Sequence, residues 1–195
     1  MPATTADAPP SLFDLDELPT PAAPRRLFTG LFPDAAVLAA IDAARRHWPG
    51  VPQGRLHPVP ERLHLTLQCF HRVSVSSERA WLQSLRSLRF DPFEIVLDRA
   101  EPWRTDKDLI VVLRPAPSAA LAALHRATAQ LARRAGLYAD TQGFRPHLTT
   151  LRHALSTGPM PLRQPIRWTV RGVDLICSEL RPRPLRYHPL GRFPA

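Results

Sequence analysis

Two stretches of the chain alternate between apolar and polar residues, the pattern of a strand with one buried face. Residues 63–70 alternate strictly, with three leucines on one face and His64, Thr66 and Gln68 on the other. A similar run surrounds residues 147–151. We therefore expect two half-buried strands, each presenting polar side chains on the face opposite the core.

The remaining periodic segments predict a mixture of strands and helices. Apolar residues recur at helical spacing in residues 37–48, 77–88 and 118–135. Further strands are predicted at residues 26–32, 93–100, 109–114, 168–177 and 185–190. Because these elements show no regular strand–helix alternation, the pattern favours an α+β fold with antiparallel sheets over a doubly wound parallel sheet.

The first 24 residues differ in composition from the rest of the chain. They are rich in Pro, Ala and Thr, which predicts a disordered tail followed by one folded domain over residues 25–195. Within this tail, residues 11–18 alternate between acidic and apolar, and they are either an unremarkable part of it or a docking segment.

No stretch approaches the roughly 20 apolar residues of a membrane span, so we expect a cytoplasmic protein with no membrane partner.

The formal net charge of +9 comes almost entirely from arginine, since Lys107 is the only lysine. The planar guanidinium group suits phosphate, so the charge favours an anionic partner such as nucleic acid. A GC-rich genome would also enrich arginine together with proline and alanine, so charge alone assigns no function.

The two cysteines, Cys69 and Cys177, lie in apolar runs and are predicted to be buried thiols rather than a disulfide or zinc site.

The tripeptide His-Leu-Thr occurs twice, at residues 64–66 and 147–149. Chance gives about 0.07 such tripeptides in a chain of this composition. The two histidines are 83 residues apart, about half of the span from residue 25 to residue 195. This spacing predicts a duplication, with two lobes related by an approximate two-fold axis and one motif strand from each lobe facing a central cleft.

Paired histidines and threonines in one cleft suit the chemistry of a phosphodiester. One imidazole can act as a general base while the other acts as a general acid, and threonine hydroxyls can donate hydrogen bonds to phosphate oxygens. The sequence has no metal-ligand spacing, no phosphate-binding glycine loop and no serine nucleophile motif. We therefore expect chemistry that needs neither a metal nor another cofactor.

The two motifs resemble the signatures of the 2H phosphoesterase superfamily, and within it the bacterial and archaeal RNA 2′,3′-cyclic phosphodiesterases, also described as 2′-5′ RNA ligases. The segments 26–28, 145–146, 151–152 and 186–190 add to the resemblance. It implies a bilobal α+β fold around a central cleft and hydrolysis of terminal 2′,3′-cyclic phosphates on RNA to 2′-phosphates. For some members it also implies reversible joining of RNA ends through a 2′-5′ linkage.

The resemblance implies five site residues, which are the acid–base pair His64 and His147, the phosphate donors Thr66 and Thr149, and the phosphate ligand Arg152. We expect His147 to activate water and His64 to protonate the departing 3′ oxygen. Arg152 lies five residues after His147, so strict alternation would point it away from the cleft. Its role requires the strand to end or bulge after Leu151.

Several neighbouring residues and other functions are also possible. His153 is six residues after His147, so alternation would place it on the same face, where it could extend the cleft. Three aromatic residues could stack on a base, namely Trp103, Phe144 and Tyr187.

The expected partners are RNA ends or cyclic-phosphate nucleotides, bound by a monomer. The alternatives are a phosphodiesterase for small cyclic phosphates, a non-catalytic module that binds RNA ends, and a scaffold that acts through the N-terminal tail.

Overall fold

The computed structural model describes residues 25–48, 55–56, 62–139, 141–154, 160–179 and 186–195. The predicted disordered tail, residues 1–24, lies outside them. The helices among the described residues are α1 (Ala35–Arg45), α2 (Val75–Leu85) and α3 (Ala119–Arg134). The strands there are β1 (Arg25–Leu31), β2 (Arg55–Leu56), β3 (Leu65–His71), β4 (Phe93–Arg104), β5 (Leu109–Pro115), β6 (Leu148–Arg152), β7 (Ile166–Val170), β8 (Gly172–Glu179) and β9 (Arg186–Pro194).

The strands form an antiparallel sheet in the order β7-β4-β5-β6-β3-β1-β8-β9, and the short strand β2 also pairs with β6. The predicted α+β class with antiparallel sheets is therefore confirmed. The two motif strands, β3 and β6, are neighbours at the centre of this order. The arrangement in two lobes stays a prediction.

Each helix begins directly after a polar residue whose side chain caps it. The carboxylate of Asp34 accepts a hydrogen bond from the backbone N–H of Val37 at 2.9 Å. Ser74 and Ser118 cap α2 and α3 in the same way, by accepting from the N–H three residues further on. Such caps satisfy backbone donors that have no partner within the helix. None of the helices in the described part of the chain is long and apolar enough to cross a bilayer.

One predicted strand, residues 168–177, is in fact two strands. Its first part belongs to β7, which pairs with β4, and its second part is β8, which pairs with β1 and β9. The chain therefore passes between distant parts of the strand order within a few residues. Buried residues alternate within β7 up to Val170, and alternation resumes in the opposite phase at Val173 in β8. This shift of phase marks the division, but it does not show which strand each segment pairs with.

Candidate active site

The two His-Leu-Thr motifs meet where β3 pairs with β6. Leu65 lies opposite Leu148 in this antiparallel pair, and both leucine side chains are 0% exposed. The register puts the histidine of each motif beside the threonine of the other. Because side chains alternate along a strand, the polar residues of both motifs share the face opposite these leucines.

A β-bulge in β6 turns Arg152 towards the same face as the motif residues. Thr149 lies opposite Val112 of β5, and Leu151 lies opposite the adjacent Val111. Thr150 therefore has no partner position in β5 and is an extra residue in β6. The buried Thr150 hydroxyl donates a hydrogen bond to the carbonyl of Val111 at 3.1 Å. The extra residue reverses the alternation that follows it. The required bulge is present, and it lies just before Leu151 rather than after it.

Strand β3 contains a matching bulge one residue after its motif. Thr66 and Gln68 lie opposite consecutive residues of β1, which makes Leu67 the extra residue. The prediction that Gln68 shares the face of the motif residues is therefore wrong. Its buried side-chain amide donates to the backbone carbonyl of His125 in α3 at 3.0 Å. The next residue, Cys69, lies on the cavity side and is exposed, so its predicted burial is also wrong, whereas Cys177 is buried as predicted.

A cavity of about 180 Å³ brings all five predicted site residues together. Its lining also contains aromatic side chains and two further arginines. The lining residues are Arg26, Phe28, Arg62, His64, Thr66, Cys69, His147, Thr149, Arg152 and Tyr187. The cavity thus combines hydroxyl, imidazole and guanidinium groups, and none of these lining residues is a carboxylate.

The ring of His64 is held by a hydrogen bond and by aromatic packing. Its Nδ1 lies 2.6 Å from the backbone carbonyl of Arg62. A carbonyl only accepts, so Nδ1 carries the hydrogen and Nε2 of the neutral ring is left as an acceptor. The ring stacks on Phe28 and Phe32 at centroid distances of 4.7 and 5.4 Å. A Cβ on Gly30 would lie only 3.3 Å from the rings of Phe28 and Phe32, so glycine leaves these rings room to pack against His64.

His147 has the same backbone hydrogen bond and a different aromatic neighbour. Its Nδ1 lies 2.8 Å from the carbonyl of Arg145, so the neutral ring again presents Nε2 as an acceptor. The indole of Trp103 lies 4.7 Å from the imidazole between ring centroids. The guanidinium of Arg145 covers the Trp103 ring at 4.4 Å. Each half of the cavity therefore supplies one imidazole in the same tautomer.

Burial and nearby arginines lower the pKa of both histidines. Burial is the larger cause for His64 and, together with the charges of Arg26 and Arg152, lowers its pKa to about 4, although the bond to the Arg62 carbonyl acts in the opposite direction. Burial also lowers the pKa of His147, with a further contribution from neighbouring arginines. In the free protein both imidazoles are therefore neutral at pH 7.

A family model described as the 2′-5′ RNA ligase superfamily matches residues 32–181. The chain belongs to the 2′-5′ RNA ligase superfamily. The RNA 2′,3′-cyclic phosphodiesterase of Escherichia coli K12 is 28% identical over 173 residues, which are 87% of this chain and 96% of that protein. The resemblance of the chain to the 2H phosphoesterases is thus confirmed.

Solved structures show the same fold. The apo form of E. coli LigT superimposes with a TM-score of 0.72 at 28% identity, covering 89% of this chain and 98% of LigT. LigT complexed with 3′-AMP gives a TM-score of 0.72 at 29% identity, covering 88% and 98%. Usb1 of Kluyveromyces marxianus, at 11% identity and a TM-score of 0.54 over 86% and 98%, shares the fold alone.

Two further candidates from the sequence, His153 and Phe144, do not line the catalytic cavity. His153 has a positive φ of 53° and pairs with Asp108 at 3.2 Å, and it does not line the cavity. Phe144 stacks on the buried His125 at 3.8 Å and not on a cavity residue. A larger cavity of about 530 Å³ lies between α1 and residues 163–167, but none of the predicted site residues lines it.

The sequence pattern missed Arg62 as part of the site. Arg62 lines the cavity, and its guanidinium lies 5.4 Å from the centre of the Tyr187 ring. Arg62 is two residues before His64, so alternation along an extended strand would place both side chains on the same face. This spacing is the signal that could have identified Arg62. The signal is weak because the sequence before Arg62 contains three prolines within residues 52–60, which interrupt the alternating pattern.

Proposed function

We propose that this protein hydrolyses the 2′,3′-cyclic phosphate at the end of an RNA strand to a 2′-phosphate. The observation that carries the proposal is the pair of imidazoles, His64 and His147, which line one small cavity with Nδ1 of each committed to a backbone carbonyl. Two such rings can remove one proton and supply another in the same reaction. The relationship to an enzyme named for this activity supports the choice of substrate.

The phosphate is held by neutral and charged donors. Thr66 and Thr149 line the cavity from two neighbouring strands, and the register places each beside the histidine of the other motif. Arg152 supplies a charged donor from the residue that the bulge turns inward. Donors fixed in this way stabilise the extra negative charge that develops on the phosphate oxygens during attack.

The chemical step moves two protons and exchanges one bond. A water oxygen attacks phosphorus while His147 takes a proton from that water, and the bond from phosphorus to the 3′ oxygen breaks as His64 protonates that oxygen. The product is a 2′-phosphate with a free 3′-hydroxyl. Attack by an RNA 5′-hydroxyl instead of water would give a 2′-5′ linkage through the same proton transfers.

The arginines near His64 oppose a positive charge on its ring in the free protein. A bound phosphate carries a negative charge that offsets the field of Arg26 and Arg152 and raises the pKa of His64. Substrate binding therefore favours the protonated form that an acid needs. The proposal assigns His64 as the acid and His147 as the base, and the substrate with a sulfur leaving group described in the Discussion tests this assignment.

The pH dependence of kcat/KM should be a bell with its maximum below pH 6.5. The pKa of both histidines is lowered from 6.5, and that of His64 is about 4. Activity needs one ring protonated and one neutral, so it rises through the lower pKa and falls through the higher one. Initial rates at low substrate concentration, measured from pH 3.5 to pH 9 in buffers of constant ionic strength, test this. A maximum at pH 7.5 or above would contradict the electrostatics of the site.

The proposed reaction itself is tested with a short RNA ending in a 2′,3′-cyclic phosphate, incubated with the protein in EDTA. The expected product is the 2′-phosphate, separated from the 3′-phosphate by chromatography, with a rate that added Mg²⁺ or Zn²⁺ does not change. Activity that EDTA abolishes and metal restores would overturn the metal-free mechanism. Tight binding of the RNA without turnover would instead support a module that binds RNA ends.

A further inference from the structure

A second groove lies on the same face of the sheet as the proposed active site. It has a volume of about 550 Å³, and Arg62 and Tyr187 line both it and the catalytic cavity. Its floor comes from β8 and β9, and Ile176 of β8 lies directly opposite Phe28 of the cavity in the antiparallel pairing with β1. Neighbouring strands are about 4.8 Å apart, so the groove begins within about 10 Å of the motif strand β3.

The rim of this groove is basic and its floor is largely apolar. Arg186 and Arg192 are exposed residues of the edge strand β9, and both line the groove. Tyr187 and Pro189 of the same strand supply flat apolar surface. Arginines beside an aromatic ring form the usual binding surface for single-stranded RNA, because bases stack on the ring and phosphates pair with the guanidinium groups.

One carboxylate in the groove limits where a phosphate can lie. The side chain of Asp174 is only 14% exposed and lies 3.9 Å from the guanidinium of Arg192. A carboxylate repels phosphate but accepts hydrogen bonds from the N–H groups of a base. The floor near Asp174 therefore suits a base, while the arginines of the rim suit the RNA backbone.

We propose that this groove binds the nucleotide that precedes the cyclic end, so that the protein prefers RNA strands to mononucleotides. This rests on the proposed hydrolysis of cyclic phosphates. The terminal ribose and its phosphate occupy the cavity of about 180 Å³, and the strand leaves past Arg62 and Tyr187, which line both spaces. The base of the preceding nucleotide lies on the apolar floor, with its phosphate near Arg186 and Arg192.

The test compares a cyclic-ended tetranucleotide with a nucleoside 2′,3′-cyclic phosphate. Wild-type kcat/KM should be at least about tenfold higher for the tetranucleotide, and the double variant Arg186→Ala/Arg192→Ala should lose about tenfold on the tetranucleotide alone. The matched control is Arg46→Ala/Arg167→Ala, which removes two exposed arginines that line neither the cavity nor the groove. This control should keep the preference for the strand.

Each outcome decides the proposal. Equal kcat/KM for the two substrates, or equal losses in both double variants, would overturn it while leaving hydrolysis of the mononucleotide intact as evidence for the proposed function. If neither substrate is hydrolysed, the proposed function fails, and titration calorimetry with the same two molecules decides the groove. Tighter binding of the tetranucleotide, lost only in the Arg186→Ala/Arg192→Ala variant, supports it, and equal binding rejects it.

Discussion

Replacing either His64 or His147 with alanine should reduce kcat on a cyclic-ended RNA by on the order of 10²-fold or more. In the proposed mechanism each imidazole transfers one of the two protons, and no other imidazole lines the cavity among the described residues. The double variant should lose little more than the worse single variant, because the two rings act in one step. Single-turnover rates at saturating protein measure the loss without interference from weaker binding.

His153→Ala is the matched control, since His153 lies just beyond the second motif strand but pairs with Asp108 outside the cavity. Its rate should equal that of the wild type. Circular dichroism and thermal unfolding of all three variants separate loss of chemistry from loss of fold. A His64→Ala or His147→Ala protein that is folded and fully active would reject acid–base catalysis by this pair.

A substrate with sulfur in place of the 3′ oxygen distinguishes the acid from the base. A thiolate leaves without a proton because a thiol pKa is about 8.5, far below that of an alcohol. If His64 is the acid, His64→Ala should recover most of its lost rate on this substrate, while His147→Ala should not. Recovery in His147→Ala instead would reverse the two assigned roles.

Arg152→Ala should lower kcat/KM by about 10- to 100-fold, the size expected when one charged hydrogen bond to phosphate is lost. The bulge at Thr150 turns Arg152 towards the cavity, and the positive charge of Arg152 lowers the pKa of His64. Removing the charge should therefore raise the pKa of His64 and move the acidic limb of the pH profile to higher pH. Inorganic phosphate, tested as a competitive inhibitor, should bind more weakly to the variant.

Arg167→Ala removes the same charge from β7, where the guanidinium pairs with Glu94 and lies outside the catalytic cavity. It should leave kcat/KM and the acidic limb unchanged at physiological ionic strength. Equal losses in Arg152→Ala and Arg167→Ala would show that Arg152 acts through the overall charge of the protein rather than through a bound phosphate.

The sequence predicted the motif strands because each obeys a local rule. Alternation separates Leu65 from His64 and Thr66, and repetition of the same tripeptide identifies a partner for it at residues 147–149. The α+β class followed from the order of elements in the same way. These features depend on the chain's own periodicity, which is visible without knowing what each strand pairs with.

The errors lie where a partner strand decides the outcome. Alternation predicts the wrong faces for Gln68 and Cys69 because the extra residue, Leu67, is defined only by the register with β1. The division of residues 168–177 into β7 and β8 also depends on pairing with different strands. Alternation within one segment contains no information about the register of its neighbour, so a bulge and the identity of the partner strand stay hidden.

The two bulges also determine how far the two halves of the cavity are alike. A site with strict two-fold symmetry would hold a cyclic phosphate equally well after rotation by half a turn, and it would open the ring towards either ribose oxygen. The positions that the bulges turn inward differ, with Cys69 after one motif and Arg152 after the other. Under the proposed function, this difference in charge adds to the one-sided placement of Arg26 and Arg62 and favours one orientation of the substrate. If the proposed reaction is correct, its regioselectivity should therefore depend on residues outside both repeated tripeptides.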